Sequence, residues 1–252
     1  MTQKIIVTAG ASGIGAGIVE KFLSEGALVH IADVDKSALE TLAQRPGLTS
    51  SLCDVSNEQN VIDLFDAAVD GMGGLTGLVN CAGIAGPTAA VEHIELAAWQ
   101  ACLGVNLDGA FLCCKQAVPH LKKAGAGSII NISSDLGLIA PDQRLYYKDG
   151  IDNGKQNVKP VTYSVVKTGL IGLTRYLATY WADKNVRCNA MCPGGVENGQ
   201  PEEFLKEVSA RIPMGRMANA SEYQGALLWM LSDASSYLNG AIIPIEGGRT
   251  VW

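Results

Sequence analysis

The sequence predicts an α/β fold: one Rossmann-type, doubly wound parallel sheet of about seven strands, with helices on both faces. Three observations predict it. Short β-branched runs alternate with longer helical patterns along the whole chain, the order that yields parallel strands joined by right-handed crossovers. Several runs, IIVT and SIINI among them, are continuously apolar, as strands covered on both faces are. Many of the 29 glycines fall at the junctions of apolar runs, where a chain turns sharply from strand into helix.

Taken in order, strands are predicted at KIIVT (4–8), ALVHIA (27–32), LTSSLC (48–53), GLVN (77–80), GSIINIS (127–133), VRCNAMC (186–192) and AIIPIE (241–246). Helical patterns lie between them, near 13–25, 36–44, 57–70, 94–124, 161–183, 202–211 and 220–232. No repeat, low-complexity tract or second domain stands out, so residues 1–252 read as a single nucleotide-binding catalytic domain. One stretch breaks the rhythm. Residues 136–160, LGLIAPDQRLYYKDGIDNGKQNVKP, are polar and turn-rich, and long loops inside compact domains are usually functional or mobile.

Composition narrows the function classes. Hydrophobic residues make up 48% and charged residues 17% of the 252, a globular balance. Net charge is −6 and no long basic run occurs, which argues against nucleic acid or an anionic membrane as partner. No apolar run is expected to reach the ~20 residues of a membrane span. The opening MTQKIIVTAG lacks a signal-peptide layout. The seven cysteines are odd in number and sit in apolar segments, as buried thiols do in a reducing compartment. The expected location is therefore the cytoplasm. Cys188 and Cys192 have no second pair nearby, and His30, His93 and His120 show no ligand spacing, so no metal is expected. His30 reads as a satisfied core residue. Trp99, Trp181, Trp229 and Trp252 read as packing groups, with Trp252 alternatively docking on a neighbouring subunit.

IIVTAGASGIG places Gly10, Gly13 and Gly15 between the first strand and the first helix, with Ser12 and Ile14 among them. Glycines let the backbone approach a ligand, and a helix N-terminus offers unpaired N–H groups to a pyrophosphate. The second strand ends in HIADVD. Asp33, with Val34 beside it, can take the ribose hydroxyls of an adenosine and repel the extra phosphate of NADP, so NAD is the expected cofactor. Asp35 fits better as the cap of the helix starting at Lys36.

In TYSVVKTGLIGL, Tyr163 and Lys167 stand four apart on one helical face. A phenol titrates near ~10 and is inert at neutral pH unless a neighbouring ammonium stabilises its anion. So assisted, it can exchange a proton with a substrate oxygen. Ser133 and Ser134, after the strand SIINI, are the available hydroxyl donors.

These elements in this order resemble the classical short-chain dehydrogenase/reductase family over nearly all residues from Lys4 onward. TAGASGIG resembles that family's Thr-Gly-x-x-x-Gly-x-Gly cofactor loop. Asp54-Val55 is similar to its adenine-contacting acidic pair, and Asn80-Cys81-Ala82-Gly83 to the Asn-Asn-Ala-Gly element after the fourth strand. Asn106, in GVNLDGAF, resembles the helix Asn that helps hold a proton-relay water. Ser134, Tyr163 and Lys167 resemble the catalytic set, and Pro193-Gly194, with Val196 following, the turn that touches nicotinamide.

The resemblance implies hydride transfer at nicotinamide C4. Lys167 would bind the nicotinamide ribose, Ser134 would polarise the substrate oxygen, and Tyr163 would act as acid or base. It also implies a homotetramer whose contacts use the long helices carrying Asn106 and Tyr163. Three positions depart from the pattern: Ala9 for the first loop glycine, Cys81 for the second Asn, and Asn198 near a frequent Thr. Ala9 would be strained if its φ is positive.

A fourth departure is the 29-residue separation of Ser134 and Tyr163, longer than the family pattern. The extra length carries Arg144, Lys148, Lys155 and Lys159 against Asp142, Asp149 and Asp152. It reads either as a solvated surface loop or as a lid selecting a polar, even anionic, substrate. Together with 194–216 it is expected to set specificity.

The expected function is NAD(H)-dependent interconversion of a secondary alcohol and a ketone on a small molecule such as a sugar, sugar acid or polyol. The alternatives are a 3-ketoacyl or other carbonyl reductase of the same family, and a non-enzymatic NAD-binding sensor or scaffold. A nucleotide-sugar epimerase shares the Tyr–x–x–x–Lys pair but usually adds a substrate domain.

Overall fold

The computed structural model describes residues 2–42, 45–152 and 156–252. Its strands are β1 (Lys4–Thr8), β2 (Leu28–Asp33), β3 (Leu48–Leu52), β4 (Gly77–Asn80), β5 (Gly127–Ile132), β6 (Val186–Pro193) and β7 (Ile242–Ile245). They form one sheet in the order β3-β2-β1-β4-β5-β6-β7, and every pairing is parallel. The helices are α1 (Gly13–Ser24), α2 (Lys36–Leu42), α3 (Glu58–Met72), α4 (Leu96–Leu103), α5 (Gly109–Ala124), α6 (Val161–Tyr180), α7 (Glu202–Ser209) and α8 (Gln224–Leu231). The predicted fold class is the one observed. The last two residues of the helix expected at 36–44 lie outside the described residues.

The period-two alternation of the strands divides the core. Ile6, Leu78 and Ile129 face one layer, where α3, α5 and α6 contribute Leu64, Phe65, Ala117, Leu121 and Leu177. Ile5, Val7, Val29, Ile31 and Ile130 face the other, against Ile18, Val19 and Phe22 of α1 and Leu227 and Met230 of α8. Removing both strand faces from water at ~25 cal/mol per Å² is the main force holding the layers. All seven cysteines are free, and six are buried, with only Cys81 partly exposed. Local signals set the helix ends. The Asn57 side chain accepts from the Gln59 and Asn60 N–H groups to start α3, and Gly73 ends it at φ 67°.

Three expectations are corrected. The single helix expected at 94–124 is interrupted between α4 and α5 by a π-helical turn, Gly104–Asp108. One extra residue in the ladder rotates Asn106 inward, and no local periodicity announces such a turn. The same stretch, Leu96–Ala124, is long and apolar enough to cross a membrane by length and composition alone, against the expectation that no run comes close. Here its apolar side chains Cys113, Cys114, Ala117 and Leu121 are buried in the helix–sheet core. The helix expected at 161–183 is also shorter. It ends at Tyr180, and a 3-10 turn, Ala182–Lys184, leads to Asn185 at φ 55°, which reverses the chain into β6.

His30 is the buried residue it was expected to be. Its Nδ1 lies 2.8 Å from Thr49 Oγ1 and its Nε2 2.8 Å from Ser51 Oγ, both on the adjacent β3. Burial pushes its pKa down from 6.5 to about 4. The unfolded chain therefore takes up this proton first, so the stability from neutral His30 is full above ~6.5 and drains as pH falls toward 4. Denaturant unfolding should report roughly 2 kcal/mol less stability at pH 5 than at pH 7 from this group. His30→Gln should flatten that slope, and an unchanged slope would refute the assignment.

Candidate active site

Strand order reverses between β1 and β4, and in open α/β sheets ligand crevices form at that reversal, beyond the strands' C-terminal ends. A cleft of about 470 Å³ opens there. One wall is the β1–α1 loop. Gly10 N–H donates to Ala32 O at 3.3 Å and Ala11 N–H to Asp33 Oδ2 at 3.1 Å, lashing the loop to β2. A side chain at Gly10 would run into Ile31, so this glycine serves packing rather than lining the cleft. Ser12, Gly13, Ile14 and Gly15 do line it. Gly15 is the tightest position, because a Cβ there would collide with the Ala9 carbonyl oxygen. Ala9 itself has φ 50°, the left-handed region, so the conditional strain foreseen for it applies, at ~1–2 kcal/mol. The first turn of α1 carries no acidic residue, and Ser12 makes no capping hydrogen bond. The helix therefore presents its positive end to the cleft.

Asp33 sits half-buried at the end of β2 and also accepts from the Asp35 N–H at 3.1 Å. Asp35 accepts from the Ala38 N–H and from Ser37 Oγ, which makes it the cap of α2 and leaves Asp33 for another role. Val34, 68% exposed, lies beside it. Asp54 is exposed and bonded to Ser56, while Val55 is buried against Gly109. None of these four lines the cleft itself.

Beyond β4, Cys81 and Gly83 line the cleft, and the Cys81 and Ala82 N–H groups both donate to Thr8 Oγ1 at 3.0 Å. Asn80 ends β4. Its side chain is turned into the sheet, donating to Asn131 Oδ1 at 2.9 Å across the β4–β5 register, and is 5% exposed. Asn131 in turn donates to Thr174 on α6. The side chain expected at the cofactor is thus part of a buried amide chain.

Asn106 reaches the cleft from the π-helical turn. Its Nδ2 donates to Ile84 O at 3.0 Å and to Cys102 O at 2.9 Å, whereas its buried Oδ1 has no partner among the described residues. Gly83 has to be glycine here, since an added Cβ would stand 2.6 Å from that oxygen.

Tyr163 and Lys167 come from the first turns of α6 and share the cleft face, with Lys167 Nζ 5.6 Å from the Tyr163 ring centroid. Lys167 is 5% exposed and donates to Ile132 O at 2.8 Å. Burial pushes its pKa down to about 8. Burial pushes the Tyr163 phenol up, and a hydrogen bond from Ser134 opposes this. Both serines line the cleft, but their hydroxyls are differently engaged. Ser133 donates to the Lys167 carbonyl at 2.7 Å and pins α6 to β5, whereas Ser134 donates to Asp135 Oδ1 at 2.8 Å. Pro193, Gly194 and Val196 close the opposite side. Asn198 is exposed and does not line the cleft. Gln200 does, its amide held by Val196 O and the Asn198 N–H.

The described residues of the 136–160 stretch are tied into the fold at several points. Asp142 caps a 3-10 turn, Gln143–Tyr146, and accepts from both Arg144 and Arg211 Nε, the latter at 2.7 Å. These guanidinium groups hold its carboxyl well below the usual range. Leu145 and Tyr146 pack on Phe204, Val208, Ile212 and Met217. Gln143 bonds both the N–H and the carbonyl of Lys159, joining the two ends of the stretch. Leu145, Tyr146 and Lys159 line the cleft, and Arg144 and Lys148 do not. Lys155 lies outside the described residues. The sequence reading also missed Arg249, whose Nη1 meets Asp135 Oδ2 at 2.8 Å inside the cleft. The partners are 114 residues apart, and no local pattern links them.

Comparison with known proteins places the chain. The short chain dehydrogenase family model matches residues 3–148, and the enoyl-(acyl carrier protein) reductase model matches residues 150–250. A cis-4-hydroxycyclohexanecarboxylate dehydrogenase of Sinomonas cyclohexanicum is 36% identical, the match covering 97% of this chain and 95% of that protein. A D-threitol dehydrogenase of Mycolicibacterium smegmatis is 32% identical over 98% of this chain and 92% of that one. A Leptospira borgpetersenii short chain dehydrogenase, solved with bound NAD+, superposes with a TM-score of 0.89 at 28% identity, covering 100% of this chain and 94% of the other. With the fold, the strand order and nearly the full length in common with enzymes of this kind, the chain belongs to the short-chain dehydrogenase/reductase family, as an oxidoreductase acting on CH–OH groups.

Proposed function

We propose that this oxidoreductase uses NAD(H) to interconvert a secondary alcohol and a ketone, with Asn106, Ser134, Tyr163 and Lys167 as its working residues. The observation that carries the reading is the buried Lys167 ammonium close to the Tyr163 ring in a cleft that Ser134 also faces. The residues present fit a dinucleotide. The uncapped α1 start and the side-chain-free Gly13 and Gly15 suit a pyrophosphate, and Asp33 at the β2 end suits a ribose diol. When bound, the nicotinamide supplies hydride transfer.

The chain's own groups handle the proton. Tyr163 gives its phenolic proton to a substrate carbonyl oxygen, or takes one from a hydroxyl. The Lys167 ammonium, steadied by Ile132 O, favours the phenolate. Ser134 becomes a second donor to the same oxygen once its hydrogen turns from Asp135. Asn106 Oδ1, buried and without a protein partner, provides an acceptor for a water-borne proton path.

Leu136, Leu145, Phe204, Val208 and Met217 give the substrate end an apolar wall. We therefore narrow the substrate from sugar, sugar acid or polyol to a hydroxylated compound with an apolar body, enclosed by 136–160 and 194–216. The homotetramer belongs to the same reading, since the outer faces of α5 and α6 leave Phe111, Tyr176 and Tyr180 exposed.

Following NADH absorbance with cis-4-hydroxycyclohexanecarboxylate, D-threitol and a 3-oxoacyl thioester tests the function. Turnover of none of them, nor of a broader secondary-alcohol panel, would return the chain to the sensor or scaffold alternative. For the cofactor, kcat/KM should favour NADH over NADPH, and Asp33→Ala should raise the NADPH:NADH ratio at least ~10-fold by removing the carboxylate that opposes a 2′-phosphate. A ratio unmoved by the substitution would remove Asp33 from that role.

A further inference from the structure

We propose that Lys159 and Arg249 form an anion-binding end of the cleft, so that the substrate is a secondary alcohol or ketone carrying a carboxylate on an apolar body. The proposal rests on the oxidoreductase reading of the same cleft and deepens it.

Charge is the starting point. The ionised side chains lining the cleft are Lys159, Lys167 and Arg249 against the single carboxylate Asp135. Lys167 donates to Ile132 O. Asp135 is already satisfied, with Oδ2 on Arg249 Nη1 and Oδ1 accepting from Ser134 Oγ at 2.8 Å and from the Leu136 N–H at 2.7 Å. With Asp135 paired to Arg249, neither Lys159 nor Lys167 has a carboxylate among the residues lining this half-enclosed site; Lys167 is met by a carbonyl oxygen, and the excess charge without a polar partner among the described residues is on Lys159.

Lys159 carries that excess. Its backbone is clamped at both N–H and carbonyl by Gln143. Its Nζ lies 4.4 Å from the Tyr163 ring centroid and has no hydrogen-bond acceptor or ion-pair partner among the described residues. Burial lowers its pKa, Asp135 works against that shift, and Arg249 adds to it. Arg249 has a side chain only 12% exposed, and among the described residues its Nε and Nη2 have no acceptor. A desolvated ammonium and a half-used guanidinium in one cleft are costly without an anion and selective for one when it arrives. A carboxylate matches the unpartnered ammonium of Lys159 beside the free edge of Arg249. The apolar wall of Leu136, Leu145, Phe204 and Met217 would take the rest of the molecule.

The position of Lys159 against Tyr163 allows a rival role, tuning of the phenol, so the test has two arms. In the first, cyclohexanecarboxylate and cyclohexanecarboxamide are titrated calorimetrically into the NADH-bound protein. The carboxylate should bind at least ~10-fold more tightly, and Lys159→Met should bring that ratio close to one. Equal affinities, binding of neither compound, or a preference that survives Lys159→Met overturns the proposal. In the second arm, 4-oxopentanoate and its methyl ester serve as substrates. Lys159→Met should raise the KM of the acid relative to that of the ester at least ~10-fold, with the kcat–pH midpoint on the ester in place. A shifted midpoint on the ester, with the KM ratio constant, assigns Lys159 to the phenol instead and overturns the anion site. Arg249→Lys provides a second variant, because it keeps the charge toward Asp135 while losing the free guanidinium edge, and it should weaken carboxylate binding. Failure of the oxidoreductase reading is separable: no compound, acid or ester, would change NADH absorbance, while the binding preference of the first arm would persist.

Discussion

Tyr163→Phe should lower kcat by about 10³-fold while leaving NADH affinity within about twofold of the parent. Phe keeps the ring near which Lys159 and Lys167 lie, so packing and cofactor contacts survive and only the proton is lost. The phenol sits high because it is buried, and Lys167 sits at about 8 for the same reason. Below that value both hold their protons, the state that can donate to a ketone. Carbonyl reduction should therefore be strongest at lower pH and decline as pH rises through about 8, where Lys167 loses the charge that stabilises the phenolate left behind. Stopped-flow single turnovers with and without the substitution separate chemistry from product release. A Phe variant retaining a tenth of the parent rate would place the proton donor elsewhere.

Gly15→Ala should be the most damaging single methyl addition in the cofactor wall. The new Cβ would meet the Ala9 carbonyl oxygen, with Gly10 Cα only 3.2 Å away. Relief by moving Ala9 is obstructed, since that residue already holds φ 50° and Gly10 is wedged on Ile31. About 3 kcal/mol of destabilisation is expected, with NADH affinity down at least ~100-fold because the loop must open where a pyrophosphate would rest. Gly17→Ala is the matched control. It lies two residues along the same helix, where a Cβ would make an ordinary contact, 3.5 Å from Gln224 Nε2, and the better helix propensity of Ala should offset any cost. Melting temperature and NADH fluorescence titration on the pair give the comparison. Similar behaviour of the two variants would show that the loop is not the tight cradle described.

Strand and helix positions were legible because each depends on neighbours in sequence: β-branched runs, apolar period, a capping Asn or Asp. The assignment of Asp35 as cap and Asp33 as free carboxylate came from the same local logic. Legibility stopped wherever register decides. Consecutive residues leave a strand on opposite faces, so residue chemistry alone leaves Ser133 and Ser134 open; the family resemblance picks Ser134, and the structure shows the Lys167 carbonyl engaging Ser133. The local segment could not show that the β4–β5 pairing sets the Asn80 side chain beside Asn131. The π-helical turn at Asn106 changes the face of a helix without changing its composition. Of the charges in the 136–160 stretch, only the clamp from Gln143 reveals that Lys159 belongs to the cleft.

The ion pair between Asp142 and Arg211, with Leu145 seated against Val208, Ile212 and Met217, ties two segments remote in sequence into one cover. A displacement of either segment would disturb the packing of the other. Anyone transplanting the selectivity of this protein onto a related scaffold would have to carry the two segments across as a matched pair. Either one alone would arrive without the surface against which it is shaped.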